Sequence, residues 1–163
     1  MQKDINALNI DAGESPTDPN KSISGVSVIL TPLAGGQSTK NSYDNTGRCI
    51  AVRGHLMIDN NFDLTVYNGE IRMQPGAKII VKKGAKLTIK GVQEGGGIHG
   101  CEKMWRSIAV EPGGALILVG NTIQDGEYAI DISGDNDIPS FAASSNTFDR
   151  NHVSIRVNGT VTQ

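Results

Sequence analysis

The feature that most constrains the fold of this chain is a set of internal matches 23 to 29 residues apart. Residues 121–132 align without gaps on residues 146–157 at an offset of 25. Residues 79–91 align on residues 108–120 at an offset of 29, with five identical positions. A third match, at an offset of 23, begins at Leu56. A unit of this length is typical of one coil of a repeat protein, because each residue then stacks on its equivalent in the next coil.

Each repeat unit contains two or three short strands separated by Gly, Pro or Asn turns. In residues 86–90 apolar and polar residues alternate, so Leu87 and Ile89 face one side of the strand and Thr88 the other. A β-sandwich also contains such strands, but its architecture gives no reason for residues 23 to 29 positions apart to match one by one. Stacked coils give that reason, because parallel ladders form between them at a spacing of about 4.8 Å. The sequence therefore predicts an all-β fold, a parallel β-helix (solenoid) of about four to five turns.

The composition agrees with a narrow aliphatic coil that is rich in turns. The 163 residues include 20 Gly and 6 Pro, 37% are hydrophobic, and only 4% are aromatic. Such a chain is too apolar for disorder and has too many turn residues for a helical bundle. The formal net charge of −2 gives no reason to expect nucleic acid as a partner. No apolar run approaches the ~18 residues of a membrane span, so membrane insertion is not expected.

Two regions and two insertions organise the predicted coil. We expect residues 1–48 to form an N-terminal arm and cap, with a strand at about 23–33, because the first coil of a solenoid exposes unpaired backbone. The parallel β-helix then spans 49–163, with insertions at 91–103 and 134–143 as natural places for a binding site. The sequence shows no polar cap at its C-terminal end, which suggests continuation into a larger protein or an oligomeric contact. The first residues show no apolar signal peptide.

Three segments carry a resemblance to a known family. Residues 74–89 read Gln-Pro-Gly-Ala-Lys-Ile-Ile-Val-Lys-Lys-Gly-Ala-Lys-Leu-Thr-Ile, residues 101–110 read Cys-Glu-Lys-Met-Trp-Arg-Ser-Ile-Ala-Val, and residues 121–125 read Asn-Thr-Ile-Gln-Asp. Together they resemble the right-handed parallel β-helix (pectin-lyase-like) domains of large secreted surface proteins of Bacteroidota, over roughly residues 50–157. The resemblance implies a right-handed coil in an extracellular or cell-surface protein whose parent chain is exported by type IX secretion. It also implies a scaffold, adhesin or glycan-binding part without an assigned catalytic role.

The function that the sequence favours is a non-enzymatic structural or binding module, adhesin- or scaffold-like, of a larger extracellular protein. Its expected partners are glycans or other surface proteins. Two alternatives stay open: a carbohydrate-active fragment of the polysaccharide lyase or hydrolase type, and a tail-spike-like fibre component of a phage or injection apparatus. Two acidic residues that converge with Arg or Lys in a groove would favour the enzyme, whereas scattered carboxylates would favour the scaffold.

The pair Trp105-Arg106 precedes a predicted strand and is the first candidate site. An exposed Trp105 can stack on a sugar ring while Arg106 hydrogen-bonds the ring substituents, which would make both residues glycan contacts. The alternative is a buried Trp105 that closes the inserted loop over the coil, with Arg106 as its solvated neighbour.

Four residues at equivalent turn positions are expected to serve the structure. Asn121 and Asn146 match in the 25-residue repeat, and their amides either form a hydrogen-bonded ladder or serve two independent turns. Gly84 and Gly113 match in the 29-residue repeat and mark a recurring corner.

Acidic residues, histidines and cysteines complete the candidate chemistry. The acidic residues within 125–137 can bind Ca²⁺ or act as a carboxylate pair, but an ion pair of Asp131 with Arg156 of the next coil is the simpler interpretation. The three His residues fall in different coils, so a metal site built from them is not expected. No cofactor is expected. Cys49 and Cys101 are 52 residues apart, which equals one offset of 23 and one of 29. They are predicted to be free thiols two coils apart, about 9.6 Å from each other, beyond the ~7 Å reach of a disulfide.

Overall fold

A computed structural model describes the chain in separate stretches. It describes the backbone of strands at residues 22–23, 27–30, 39–44 and 49–51, and backbone and side chains of residues 52, 54–58, 62–67, 70–91, 97–134, 137 and 139–159. In these stretches there is no helix of the length and apolar character needed to cross a membrane.

Short strands follow one another along the described stretches. In chain order they are β1 (Ser22–Ile23), β2 (Ser27–Leu30), β3 (Thr39–Asp44), β4 (Cys49–Val52), β5 (His55–Ile58), β6 (Phe62–Tyr67), β7 (Glu70–Met73), β8 (Lys78–Val81), β9 (Lys86–Lys90), β10 (Gly97–Gly100), β11 (Trp105–Val110), β12 (Ala115–Val119), β13 (Thr122–Gln124), β14 (Gly126–Ser133), β15 (Ser140–Ser144), β16 (Thr147–Asp149) and β17 (Val153–Asn158). Successive groups of three make one coil each, which we number coil 1 (β1–β3) to coil 5 (β13–β15), and β16 and β17 belong to coil 6.

Every third strand is a neighbour in one of three parallel sheets. Sheet A has the order β1-β4-β7-β10-β13-β16, sheet B the order β2-β5-β8-β11-β14-β17, and sheet C the order β3-β6-β9-β12-β15. The strand pairs are parallel throughout. This arrangement confirms the predicted all-β parallel solenoid, and coils 2 to 6 make between four and five turns. Its right-handedness stays a prediction, which the strong right-handed preference of parallel crossover connections supports.

The strand register reproduces the matches found in the sequence. Ile130 pairs with Ile155 at the offset of 25. Leu87 pairs with Leu116 at the offset of 29. The pairing of β5 with β8 has the offset of 23. The internal repeats therefore arise because matched residues occupy the same column of the solenoid.

Inward columns of aliphatic side chains fill the coil. Leu64, Leu87 and Leu116 stack on one another in sheet C and are each at most 2% exposed. Ile79 and Ile108 stack in the same way in sheet B, at 2% and 0%. Complete burial of one such side chain contributes about 1.5–3 kcal/mol, so these columns are a main source of stability.

Gly84 and Gly113 occupy one corner, between sheets B and C, in successive coils. Both have left-handed backbone angles, with φ of 75° and 74°, which favour glycine at the third position of a tight turn. The Ala85 N–H closes the first of these turns by donating to the Lys82 carbonyl oxygen at 3.0 Å. The Gly84 N–H donates to the Gly113 carbonyl oxygen at 2.9 Å, so the corners are hydrogen-bonded to each other.

The first coil begins within the region that the sequence analysis assigned to the cap. Strands β1, β2 and β3 lie within residues 22–44 and pair in parallel with β4, β5 and β6. The single strand expected at 23–33 is divided between β1 and β2. Residues 1–21 of the predicted arm, and residues 160–163 at the other end, lie outside the described residues.

The predicted equivalence of the two cysteines is wrong by four residues. Cys49 pairs with Glu70, and Glu70 pairs with Gly97, so Gly97 is the equivalent of Cys49 two coils later. The offsets taken from sheets B and C do not apply to sheet A, because corner loops differ in length between coils. The prediction of a free thiol is confirmed for Cys101.

Candidate functional site

Trp105, the first candidate from the sequence, is completely buried. Its exposed fraction is 0%, and its indole Nε1 donates a hydrogen bond of 2.6 Å to the Gln124 carbonyl oxygen. The Trp105 N–H donates to the Asp125 carbonyl oxygen at 3.1 Å. The ring therefore ties coil 4 to coil 5 and has no exposed face on which a sugar ring can stack. This is the buried arrangement that the sequence analysis weighed against a glycan contact.

Arg106, its neighbour, lies on the surface among groups of coil 5. Its side chain is 44% exposed and donates to Glu127 Oε2 at 2.5 Å. The guanidinium also lies 5.4 Å from the centre of the Tyr128 ring, whose other cationic neighbour is Arg156 at 3.6 Å. The Tyr128 ring and the two guanidinium groups form a stack that joins coils 4, 5 and 6. Arg106 therefore makes contacts between coils at the surface, whereas Trp105 packs in the core.

Asn121 and Asn146 form a hydrogen-bonded ladder at the corner between sheets C and A. The Asn121 side-chain amide donates to Asn146 Oδ1 at 3.1 Å, and the Asn121 backbone N–H donates to the same oxygen at 2.9 Å. The Asn146 amide in turn donates to the Leu118 carbonyl oxygen at 2.9 Å. Of the two possibilities left open by the sequence, the structure has the ladder.

The predicted ion pair between Asp131 and Arg156 is present. Arg156 Nε and Nη2 donate to the two carboxylate oxygens of Asp131 at 2.8 and 2.6 Å. Other acidic residues of the same segment pair in different directions, Asp125 with Arg150 and Asp137 with Lys83. Within the described stretches no three His, Cys, Asp or Glu side chains are placed to hold a metal ion.

Ion pairs engage almost all of the carboxylates whose side chains the structure describes. The pairs are Arg72–Glu70, His99–Glu70, Lys82–Glu111, Lys83–Asp137, Lys86–Asp63, Arg106–Glu127, Arg150–Asp125, Arg150–Asp149 and Arg156–Asp131. Most of them join residues of different coils. Glu102 is the one exception among these described carboxylates.

Two carboxylates of the sheet A side have pKa values below their usual range. Hydrogen bonding from Arg72 is the main cause of the lowered pKa of Glu70, and His99, 2.6 Å away, acts in the same direction. Hydrogen bonding from Arg150 is the main cause of the lowered pKa of Asp125. Burial opposes both shifts. Both groups are therefore ionised at neutral pH and are poor proton donors.

A cleft of about 270 Å³ lies at the corner between sheets A and B. It is lined by Gly100, Glu102, Lys103, Met104 and Asp125, and we call it the corner cleft. Glu102 and Lys103 have no ion pair or hydrogen-bonded side-chain partner within the described structure. Met104 is 42% exposed, one of the few large apolar side chains at the described surface. The cleft therefore combines a free carboxylate, a free ammonium group and an apolar thioether.

Sequence reasoning did not single out this combination of residues. The insertion at 91–103 was expected to carry a binding site, and it contains Glu102 and Lys103. Asp125 belonged to the acidic set, 22 residues away from Lys103 in the chain. The sequence matches do not pair any residue of 101–104 with Asp125, so they could not show that these residues lie side by side at the corner between sheets A and B.

A scan against protein-family models and searches of the curated proteins and of the solved structures found no match to this chain. The assignment of the fold rests on the strand topology and register alone. The functional interpretation is carried by the arrangement of side chains on the surface of the solenoid.

Proposed function

We propose that the chain is a non-enzymatic structural or binding module, adhesin- or scaffold-like, of a larger extracellular protein. The observation that carries this proposal is the engagement of nearly every described carboxylate in an ion pair, mostly between coils. A surface used in this way holds the coils together and offers few groups for acid–base chemistry.

The inter-coil pairs act together along the solenoid. Arg150 and Arg156 of coil 6 each bind an aspartate of coil 5 through two nitrogen atoms. Arg106 of coil 4 reaches coil 5 from the other side through Glu127. A single exposed pair is worth about 0–1 kcal/mol, but pairs at successive coils restrain the same three coils repeatedly. Such restraint favours a rigid rod over a surface that rearranges around a substrate.

The protonation states also favour a non-enzymatic module. Glycoside hydrolysis needs two carboxyl groups, of which one is held protonated by a raised pKa. Glu70 and Asp125 are both shifted in the opposite direction by their arginine partners. Neither group is therefore suited to protonate a leaving group at neutral pH.

The resemblance of residues 50–157 to pectin-lyase-like domains of Bacteroidota surface proteins supports an extracellular or cell-surface location. Export of a parent chain by type IX secretion, and glycans or other surface proteins as partners, belong to the same proposal. The proposal needs no cofactor.

Incubation with polysaccharides tests the proposal directly. The purified chain would be incubated with polygalacturonate, alginate, hyaluronate, xylan and β-glucan, and released reducing ends and unsaturated products would be measured. We expect no product from the unmodified chain above that of a reaction without protein. Product formed by the unmodified chain would contradict the proposal, and its loss in the E70Q/D125N double variant would assign the activity to these two carboxylates.

A further inference from the structure

The corner cleft exists because neighbouring coils have corners of different length. In coil 4, four residues at 101–104 join β10 to β11, whereas in coil 5 Asp125 alone joins β13 to β14. The corner of coil 4 therefore projects further from the solenoid axis than the corner of coil 5, and open space remains between the projecting segment and Asp125. The Gly76 N–H of coil 3 donates to the Met104 carbonyl oxygen at 3.4 Å, and the Cys101 N–H donates to the Met73 carbonyl oxygen at 2.9 Å. These bonds attach the projecting segment, residues 101–104, to coil 3.

The wall of the cleft beside the projecting segment is held firmly in place. Arg150 Nε and Nη2 donate to the two oxygens of the Asp125 carboxylate at 2.8 and 3.0 Å. A Cβ added at Gly100 would lie 2.5 Å from the Lys103 carbonyl oxygen, so the backbone of the projecting segment packs directly on the end of β10. Asp125 and the backbone of residues 100–103 are thus held in place by contacts within the protein.

The backbone of Glu102 is strained, although the position does not contain glycine. Its φ is 65°, in the left-handed region that costs a residue with a side chain more than glycine. Glu102 is also the described carboxylate without an ion pair, so no side-chain contact within the described structure offsets the cost of this backbone conformation. The left-handed conformation recurs at this corner in coils 3, 5 and 6, at Gly76, Asp125 and Arg150, so the feature that distinguishes Glu102 is its unpaired carboxylate.

From these groups we infer that the corner cleft binds one neutral hexopyranose unit of a glycan. This inference rests on the binding part of the proposed function and names its ligand. Each sugar hydroxyl donates and accepts, so adjacent hydroxyls can serve the Glu102 carboxylate, the Lys103 ammonium group and the Asp125 carboxylate together. The exposed thioether of Met104 provides an apolar contact for the C–H face of the ring. The cleft of about 270 Å³ is just below the usual size of a small-molecule pocket, which suits a single sugar unit.

A charged ligand fits this set of groups less well. Arg150 already neutralises Asp125, and Glu102 and Lys103 offset each other, so the cleft has no excess of either charge. A uronate or a sulfated sugar would therefore gain no net attraction, because the Glu102 carboxylate repels the anion that the Lys103 ammonium group attracts, and it would lose part of the hydration of its charge. The neutral sugar uses the same hydrogen-bonding groups without burying a charge.

Titration with methyl glycosides, followed by amide NMR shifts, tests the inference. The probes are the methyl glycosides of glucose, galactose and mannose, with methyl galacturonate for comparison. We expect at least one neutral glycoside to cause saturable shifts confined to residues 100–104 and 125. The E102G variant removes the carboxylate and relieves the backbone strain, so it stays folded. We expect its affinity to be at least about tenfold weaker, because a hydrogen bond to a charged group is lost.

The S145G variant is the matched control. Ser145 also has a left-handed backbone, with φ of 55°, but it lies outside the cleft, so this variant should bind as the unmodified chain does. Absence of saturable shifts at the cleft with all neutral glycosides, a preference for galacturonate, or unchanged binding in E102G would each overturn the inference. None of these results would contradict the non-enzymatic module, whose failure would appear as turnover in the polysaccharide assay.

Discussion

Replacement of Asn121 by alanine tests whether the amide ladder stabilises the stacking of coils. Asn121 is 3% exposed, and its side-chain nitrogen donates to the Ile89 carbonyl oxygen at 2.9 Å and to the Val119 carbonyl oxygen at 3.2 Å. It also donates to Asn146 Oδ1 at 3.1 Å. One amide thus bonds to groups of coils 3, 4 and 6 from its place before β13 in coil 5.

The magnitude follows from the groups that lose their donor. A hydrogen bond contributes about 1 kcal/mol net, and a buried polar group left without a partner costs about 1–3 kcal/mol. The N121A variant removes the side-chain donor from the buried Ile89 carbonyl oxygen. The Val119 carbonyl oxygen keeps the Gly91 N–H at 2.7 Å, and the Asn121 backbone N–H keeps its bond to Asn146. We therefore expect the free energy of unfolding to fall by about 2 kcal/mol. For a chain of this length that corresponds to a Tm lower by roughly 4–8 °C.

Urea unfolding, followed by the fluorescence of the single tryptophan, measures this change. Asn158→Ala is the matched control, since Asn158 is exposed and its side-chain amide donates at the surface, to Asp131 Oδ1 at 3.2 Å. We expect this control to stay within about 0.5 kcal/mol of the unmodified chain. Asn121→Asp keeps the shape of the side chain but replaces the donor by an acceptor, so it should lose at least as much stability as N121A. Stability of N121A within about 0.5 kcal/mol of the unmodified chain would refute the reasoning.

Three further predictions concern the glycine contacts, the ion pairs and the buried indole. Gly97→Ala should lower the free energy of unfolding by about 3 kcal/mol in a urea titration, because the added Cβ would lie 2.3 Å from the Thr122 carbonyl oxygen. Gly76→Ala should lower it by only about 1 kcal/mol, because its Cβ meets no atom within 4 Å and only the positive φ is unfavourable. Equal losses of stability in the two variants would contradict this prediction. The lowered pKa values of Glu70 and Asp125 contribute stability above the unfolded-state pKa values of about 4, and that contribution is lost as pH falls through the lower folded-state values. Tm should therefore be steady from about pH 7 to 5 and fall below about pH 4, less steeply in the E70Q/D125N variant. Iodide should leave the fluorescence of Trp105 unquenched in the folded chain, and strong quenching would show that the ring is exposed.

The parts of the structure that follow from local patterns could be predicted from the sequence. Alternating strands and matches at fixed offsets define which side chains point inward and which residues stack, and this is sufficient for the parallel solenoid. The pairing of Asp131 with Arg156 follows from the same register. In contrast, the burial of Trp105 depends on the short corner at Asp125, which brings coil 5 close enough to cover the indole. No repeat offset contains that information.

The failed prediction for the cysteines and the missed cleft have one physical origin. A solenoid constrains the strands to stack at equal spacing, but it leaves the length of each corner free, so offsets measured at one sheet do not hold at another. Between Cys49 and Gly97 the two steps along sheet A are shorter than the steps used to place Cys101. The same freedom makes the corner at 101–104 longer than the corner at Asp125, and the projecting segment encloses the cleft. In such a fold, the positions where the repeat length changes are therefore the positions where a rigid rod acquires a concave surface.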